Sequence, residues 1–512
     1  MLFWLCCLVL SAAVILGGAT HAGYLGDVTV QLLSVPLLTV VLWPAASAHH
    51  QQRREARLAL YLCGAAAAVV FVQVLPLPFD VWSGGASLMR QPPASEYESL
   101  RTSWGTFSLV PQATWAAAVS VIVPLSIFGA VIQLGYGQRR ALSWLLLGLG
   151  SAGLVLGFLQ VAQGPSSGLR FYDVTNDTEA VGFFANRNHF AALLYVCLLL
   201  AGMNFTTLGA SVSQSAAFRS RNILWRAGAA ALLAGLLGGL ALAKSRAGIA
   251  LAMIALAGVF ANLWTQRRLA REAGTPGTLT AGRASFAAVV FAVLFAAQFG
   301  LGGILTRFEA GPAEDLRVTF NRVTWQTIPK ALPFGTGLGT FVPVYAAAEK
   351  REDIFAGYAN RAHNDLAELL LETGLMGAGL LLAFLAWLTR RAIQVWKKPR
   401  IGQSLSCLLL ERTAVVSIAL LLAHSLADYP LRTTALSAIF AYFCALLAVP
   451  VSEPASEPAA KLHRAPPGPP EPVQREQWGF DANWPQTWQK EPDTKRPEKE
   501  LGQILHKSAT KG

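Results

Sequence analysis

Side chains that could perform acid–base or anion-binding chemistry stand in a few short groups between long apolar segments. The groups are Asn186-Arg187-Asn188-His189, Lys244-Ser245-Arg246, His363-Asn364-Asp365, and the pair His424 and Asp428. An imidazole changes protonation near neutral pH and can remove a proton from a hydroxyl group. A guanidinium group binds phosphate through parallel hydrogen bonds. Together these residue types indicate an anion-binding site beside a candidate general base, His363.

Three carboxylates follow His363 at helical spacing. Asp365, Glu368 and Glu372 are separated by three and then four residues, which places them on one face of a helix. Charges inside an apolar bundle must face a partner or a wet cavity. Two interpretations stay open: the carboxylates support the chemistry directly, or they pair with basic side chains and backbone donors as part of the fold. Glu368 is the alternative base.

The composition of the chain is that of a membrane protein. Its 512 residues are 54% hydrophobic and only 14% charged, whereas soluble proteins have about 25% charged residues. Recurrent apolar runs of about 20 residues predict an all-α polytopic membrane fold with about twelve transmembrane helices. The net charge of +12 is explained by basic cytoplasmic loops. Because no basic stripe with interleaved aromatic residues is present, nucleic-acid binding is not expected.

The spans and their loops predict the orientation of the protein. Because residues 1–5 have no basic side chain, we expect a retained first helix rather than a signal peptide. Basic residues concentrate in the loops after the even-numbered spans, which predicts that these loops and both termini are cytoplasmic. All the polar groups above then lie at the outer face. The predicted spans are 2–18, 28–46, 58–75, 114–134, 141–162, 188–208, 224–243, 247–264, 285–305, 364–388, 412–427 and 432–450.

Lys244 and Arg246 are basic residues on the face where the positive-inside rule disfavours them. They either extend to lipid head groups or bind a phosphate. The predicted spans 188–208, 247–264 and 364–388, which begin at these polar groups, point their N-termini outward. A helix N-terminus offers a positive partial charge and free N–H groups. If these ends converge, they form a site for phosphate or pyrophosphate.

The sequence divides into three regions. N-terminal transmembrane helices occupy residues 1–162, a catalytic membrane region occupies 163–450, and the segment 451–512 is rich in proline and charge, which predicts a disordered cytoplasmic tail. The long outer segment 306–363 contains aromatic and helix-forming stretches and is expected to form a helical cap. No metal-ligand motif, P-loop or GxSxG motif is present, so no metal and no cofactor are expected.

Five segments, in order, resemble the bacterial O-antigen ligase/polymerase superfamily. Each is a weak signal alone, and together they extend over about residues 180–450. They are GFFANRNHFA at 182–191, KSRAG at 244–248, RVTW at 322–325 with PFGTGLGTF at 333–341, AHND at 362–365 through ETGL at 372–375, and HSLADYP at 424–430.

The resemblance implies a metal-independent, inverting membrane glycosyltransferase in the bacterial inner membrane, with its active site facing the periplasm. Its donor would be a glycan on undecaprenyl pyrophosphate, and its acceptor the lipid A core or another glycan. By position, His363 would be the general base, and Arg246 and Arg322 would bind the pyrophosphate. Arg317 competes with Arg322, which has the family's spacing to Trp325.

Further residues have supporting roles in this interpretation. His189 is expected to cap its helix or to bind donor, and His424 to pair with Asp428 in a turn. The remaining donor-binding candidates are Lys244, Asn186, Arg187 and Asn188, and the remaining supporting carboxylates are Asp365, Glu368 and Glu372.

Three alternatives remain. A polymerase that joins lipid-linked repeat units for O-antigen, capsule or exopolysaccharide would use the same motifs, and a protein-directed oligosaccharyltransferase is a related possibility. A polysaccharide transporter or flippase is the alternative of another class. Transporters place charges near the middle of the membrane, whereas here most polar residues cluster at one face, which favours an enzyme.

Overall fold

The computed structural model describes residues 1–21, 23–43, 56–84, 97–211, 219–272, 312–354, 357, 359–397 and 403–449. These residues are mostly helical. The strands among them are two residues long, β1 (Leu77–Pro78) and β2 (Trp104–Gly105), and pair antiparallel. The expected all-α fold is therefore confirmed for the part of the chain that is described.

The helices follow the predicted apolar runs. In chain order they are α1 (Leu2–Leu16), α2 (Leu25–Leu42), α3 (Arg57–Val74), α4 (Phe79–Gly84), α5 (Tyr97–Leu100), α6 (Pro111–Ser120), α7 (Ile122–Val131), α8 (Tyr136–Gln163), α9 (Arg187–Ser211), α10 (Arg219–Ala243), α11 (Arg246–Glu272), α12 (Pro312–Ala331), α13 (Phe341–Ala348), α14 (Asp365–Trp396), α15 (Leu405–His424) and α16 (Thr434–Ala448).

Eight spans among the described residues are long and apolar enough to cross a membrane: α2, α3, the consecutive pair α6 and α7, α8, α9, α11, α14 and α15. Three shorter apolar stretches fall on other predicted spans: α1, residues Ala227–Ala243 of α10, and α16. The predicted span 285–305 and the tail 451–512 lie outside the described residues. A multi-pass helical architecture is thus established, while the count of twelve and the orientation stay predictions.

Helix α9 lies at the centre of the bundle. Its residues from Phe190 to Ala201 are completely buried, and it packs against α8, α10, α11 and α15. A helix that is apolar on every side lies either in lipid or in the core of a protein, and here the neighbouring helices enclose it. The polar residues at the start of α9 are therefore held inside the protein rather than at its edge.

The start of α11 lies directly beside α9. A side chain at Gly248 would collide with Ala191, so glycine permits the close approach of the two backbones. This contact brings Arg246 to the same end of the bundle as the polar residues that begin α9. We call this end of the bundle the site end.

The described part of the cap is helical and packs on α14. Phe320 of α12 and Phe341 and Tyr345 of α13 share one buried apolar cluster with Leu371 of α14. A 3-10 turn, Arg351–Asp353, follows α13. Phe320, Phe341 and Tyr345 thus form the core of a small folded unit.

The glycine-rich turn between α12 and α13 fits into a break in α14. Gly335 has a φ of +78°, and Gly374 inside α14 has a non-helical φ of +58°. A Cβ at Gly335 would collide with the carbonyl of Glu372, and one at Gly374 with the carbonyl of Pro333. The glycine-rich segment thus forms a tight turn that fixes the cap to the first turns of α14.

A buried arginine joins two distant parts of the chain at the opposite end of the bundle. Arg139, near the start of α8, is fully buried. It donates to the backbone carbonyls of Leu134 (2.9 Å), Val449 (2.8 Å) and Ile132 (3.0 Å). Carbonyls near helix ends lack partners within their own helix, so the guanidinium group satisfies them and ties the start of α8 to the end of α16.

Candidate active site

A buried carboxylate joins three segments at the site end. Asp428, which is 1% exposed, accepts hydrogen bonds from Nδ1 of His363 (2.9 Å), from Nδ2 of Asn186 (3.4 Å) and from Nδ2 of Asn188. The backbone amide of Tyr429 adds a fourth (3.0 Å). We call Asp428 and the three side chains that bond to it the Asp428 cluster. It connects the start of α9, the residues before α14 and the segment after α15.

The surroundings of Asp428 keep it ionised. Burial by itself would raise the pKa of this carboxyl group. The hydrogen bond and the charge of His363, together with nearby His189 and Arg317, outweigh burial and hold the pKa of Asp428 well below its ordinary value. An ionised carboxylate can only accept hydrogen bonds, so Nδ1 of His363 must be the donor.

This hydrogen bond fixes the His363 imidazole for proton transfer. With Nδ1 carrying the proton, Nε2 presents its lone pair, and the side chain remains 14% exposed. The ring lies between two aromatic rings, with centroids 6.1 Å from Phe320 of the cap and 4.9 Å from Tyr429. The orientation and partial exposure fit a general base at the boundary between the bundle and the cap.

His189 and His424 lie near Asp428 but do not bond to its side chain. The ring of His189 is fully buried, stands edge-on to Tyr429 at 4.8 Å, and neither nitrogen has a hydrogen-bond partner among the described residues. His424 Nδ1 instead contacts the hydroxyl of Tyr195 (3.3 Å). The expected turn does form, through the amide of Asp428 and the carbonyl of His424 (3.0 Å), but it is a backbone turn rather than a pairing of side chains.

Asparagine side chains, rather than His189, cap α9. Asn186 accepts from the amide of Asn188 (2.8 Å), and Asn176 accepts from the amide of Arg187 (2.9 Å). The expectation that His189 caps its helix is therefore wrong.

The other two helix starts at the site end are capped in the same way. The side chain of Asn364 accepts hydrogen bonds from the amides of Leu366 and Ala367 in α14. The hydroxyl of Ser245 accepts one from the amide of Gly248 in α11. These N-termini keep their positive partial charge, but several of the N–H groups expected to bind an anion already have partners.

A second buried network surrounds Arg432. Its guanidinium lies 2.7 Å from Glu372, 3.5 Å from Glu368 and 3.4 Å from Asp365, and Arg361 lies 2.8 Å from Glu368. These five residues form the Arg432 cluster. Burial would lower the pKa of Arg432, but the three carboxylates raise it above its ordinary value. Asp365, Glu368 and Glu372 do share one face, and pairing with arginine is their observed arrangement.

Arg361 and Arg432 have no assigned role in the sequence prediction. The excess of carboxylates after His363 is the signal that could have indicated them, since buried charges need partners. The two clusters touch where Asp365 accepts from the hydroxyl of Ser425 (2.7 Å), three residues before Asp428.

Three of the arginines predicted to bind the donor differ in their surroundings. Arg322 pairs with Asp353 at 2.7 Å and is 42% exposed. Arg187 pairs with Glu179 at 2.7 Å. Arg317 lies close enough to act electrostatically on His189, His424 and Asp428, and it has no ion pair with a described side chain. Of these three, Arg317 is the one whose charge acts on Asp428.

The start of α11 supplies the remaining basic side chains. Arg246 is partly buried at the first position of the helix, whereas Lys244 is exposed, with a φ of +48°. Within the described part of the chain, no three His, Cys, Asp or Glu side chains are grouped to hold a metal ion.

Among the described residues, eight apolar spans define a multi-pass membrane protein, and the Asp428 and Arg432 clusters lie at one end of its helices. Residues 229–382 match the family model described as O-antigen ligase. The match confirms the resemblance to the O-antigen ligase-like superfamily, and it contains Arg246, Arg317, Arg322 and His363. The polar start of α9 and the segment of Asp428 lie outside it. No curated protein matches the chain.

Proposed function

We propose that the protein transfers a glycan from undecaprenyl pyrophosphate to a sugar hydroxyl at the periplasmic face of the inner membrane, as an O-antigen ligase-type glycosyltransferase. The observation that supports it most is the contact of His363 Nδ1 with buried Asp428 at 2.9 Å, within a chain that matches the O-antigen ligase family. A base oriented in this way suits the deprotonation of an acceptor hydroxyl.

The proposed reaction needs one proton acceptor and one anion site. The acceptor oxygen bonds to the anomeric carbon on the face opposite the pyrophosphate, while the bond from that carbon to the pyrophosphate oxygen breaks. The hydroxyl proton moves to Nε2 of His363, and Asp428 stabilises the resulting imidazolium. The pyrophosphate leaves as an anion, which positive side chains stabilise. Inversion at the anomeric carbon follows from this single displacement.

We assign the anion-binding role to Arg246 and Arg317, with Arg322 as the alternative to Arg317. The electrostatic action of Arg317 on Asp428 supports this choice, as does the ion pair that already occupies Arg322. Lys244, Asn186, Asn188, Arg187 and His189 are proposed to shape the donor site, although Arg187 and the two asparagines already have partners.

The base is tested by comparing His363→Ala with His424→Ala. Both are assayed as purified protein with lipid-linked glycan and acceptor, at equal expression and over a pH series. Removal of the base should cost about 10²–10⁴ in rate and abolish the acidic limb of the pH profile. His424→Ala should keep the shape of the profile. An unchanged acidic limb in His363→Ala would contradict the assignment.

The same assay separates the finer alternatives. Turnover in excess EDTA is expected if arginine rather than a metal ion stabilises the leaving group; rescue by added Mg²⁺ or Mn²⁺ after loss would contradict this. Transfer to a lipid A core acceptor indicates a ligase. Products lengthened by whole repeat units on the lipid indicate a polymerase.

A further inference from the structure

Glu368 holds the backbone immediately before His363. Its Oε1 accepts from the guanidinium of Arg361 (2.8 Å), and its Oε2 accepts from the amide of Ala362 (3.0 Å). Glu368 is fully buried. Both oxygens of one carboxylate are thus used on the two residues that lead into His363.

The backbone of His363 itself is in an uncommon conformation. Its φ is +52°, in the left-handed region that side chains with a Cβ disfavour. Such a conformation persists only when surrounding contacts impose it, and it is found most often at functional sites. On the other side of His363, Asn364 caps α14 and the amide of Asp365 donates to the carbonyl of Ser425 (2.8 Å). His363 is therefore confined from both directions.

Glu372 provides a comparison within the same network. It is also fully buried and also contacts Arg432 (2.7 Å). Its other side-chain contact is with the amide of Phe341 in the cap (3.2 Å), not with the residues before His363. Two carboxylates one helical turn apart thus share an environment but hold different segments.

We infer that Glu368 is a positioning residue for His363: by binding Arg361 and the amide of Ala362, it sets the turn that aims the imidazole at Asp428 and presents Nε2 to the acceptor. This inference rests on the proposed role of His363 as the base. Glu368 does not touch the reacting groups and acts only through His363.

The experiment uses four variants of the full chain: Glu368→Gln, Glu372→Gln, His363→Ala and the double variant His363→Ala/Glu368→Gln. Glutamine keeps the shape of the side chain but turns one acceptor oxygen into an N–H donor, which then faces another donor. Loss of the partner that orients a metal-bound histidine typically costs about 10- to 100-fold, and we take the same range for this positioning contact. We expect Glu368→Gln to lower kcat by about that factor with little change in KM, and Glu372→Gln to lower it much less. In the His363→Ala background, Glu368→Gln should have no further effect.

Two results would overturn the inference: equal losses in Glu368→Gln and Glu372→Gln, or a further slowing of His363→Ala by the same factor. If His363→Ala itself keeps its activity and its acidic limb, the proposed base fails instead, which is a distinguishable outcome. Should Glu368→Gln not accumulate, Arg361→Gln breaks one of the two contacts alone. It should likewise lower kcat in the native background and not in His363→Ala; any other pattern counts against the role.

Discussion

The Asp428 cluster and the Arg432 cluster lie side by side, but their charges are matched differently. In the Arg432 cluster, every carboxylate lies within 3.5 Å of a guanidinium group. In the Asp428 cluster, one carboxylate faces a single imidazole at 2.9 Å. Arg317 acts on it without an ion pair among the described residues, and His189 beside it has unbonded nitrogens.

This difference suggests separate roles: the paired charges of the Arg432 cluster support the fold, and the charges of the Asp428 cluster are available for chemistry. Buried groups are normally satisfied, and exceptions in a native protein call for an explanation. Paired guanidinium and carboxylate groups hold α14, the cap and the segment after α15 together. The exposed edge of His363, and an Arg317 without an ion pair among the described side chains, leave interactions free for a substrate. The five predictions below test this division.

The largest effect is expected from Arg432→Met. The substitution leaves three buried carboxylates with one remaining guanidinium, and breaking a buried ion pair costs about 3–5 kcal/mol. The variant should accumulate poorly or melt at a much lower temperature in detergent. Arg322→Met is the matched control, because its ion pair is partly exposed and should contribute about 1 kcal/mol or less. Equal melting temperatures would show that the Arg432 cluster does not support the fold.

Asp428→Asn should remove most activity from a protein that still folds. The amide cannot stabilise an imidazolium as a carboxylate does, and its N–H₂ group can hold His363 in the wrong tautomer. We expect a loss of about 10²–10⁴ in kcat, measured beside Ser425→Ala, which alters a neighbouring contact of Asp365 instead. A near-normal kcat in Asp428→Asn would show that Asp428 does not assist His363 in catalysis.

The same variant gives a pH test. The folded pKa of Asp428 is depressed, so its contribution to stability is complete above its unfolded pKa of about 3.9 and is lost as pH falls through the folded value. The difference in unfolding free energy between the native protein and Asp428→Asn should persist from about pH 8 to 5 and be lost only as the pH falls below about 4. A difference that vanishes already near pH 6 would mean that Asp428 is not held ionised.

Arg317→Lys and Arg322→Lys form the next comparison. Lysine keeps the charge but loses the bidentate geometry that suits phosphate. If Arg317 stabilises the leaving pyrophosphate, Arg317→Lys should lose about 10²–10³ in kcat/KM, and Arg322→Lys much less. A larger loss in Arg322→Lys than in Arg317→Lys would instead assign the pyrophosphate to Arg322, the residue favoured by its spacing to Trp325.

The smallest effect is expected from Arg187→Gln. Its guanidinium is engaged by Glu179 in a partly exposed ion pair, which is worth about 1 kcal/mol or less. We expect a change of roughly two- to fivefold in KM for the lipid-linked donor, with kcat unaltered. A loss as large as that of Arg317→Lys would place Arg187 at the pyrophosphate.

Local patterns in the sequence predicted which residues share a helix face and where the polar groups lie. The contacts between residues far apart in the chain could not be predicted from these patterns. The spacing of Asp365, Glu368 and Glu372 is enough to put them on one face, because that face depends only on helix geometry. The meeting of His363 with Asp428 depends on how α14 packs beside the end of α15, across 65 residues. Sequence distance alone favours His424 as the partner of Asp428, four residues away.

The sequence also cannot decide which of Arg317 and Arg322 binds the pyrophosphate, and the reason is related. Five residues along an α-helix correspond to a rotation of about 140° between side chains. The two arginines therefore leave α12 in different directions: Arg322 contacts Asp353, and the charge of Arg317 acts on Asp428. Which of them faces the site is decided by the packing of Phe320 and its neighbours on α14, and motif spacing contains no information about that rotation.

Arg139 has a consequence for the order in which the protein is assembled. Its contact with the carbonyl of Val449 joins residues that are 310 positions apart, so it cannot form until the ribosome has made the last described helix. The same holds for Asp27, whose carboxylate accepts from the hydroxyl of Thr434, 407 positions later (2.6 Å). Until then, the Asp27 carboxylate and the part of the Arg139 guanidinium that later binds Val449 must form hydrogen bonds with water, lipid or the insertion machinery. Closure of the bundle by α16 is then a late step of biogenesis, and it completes both ends of the molecule at once.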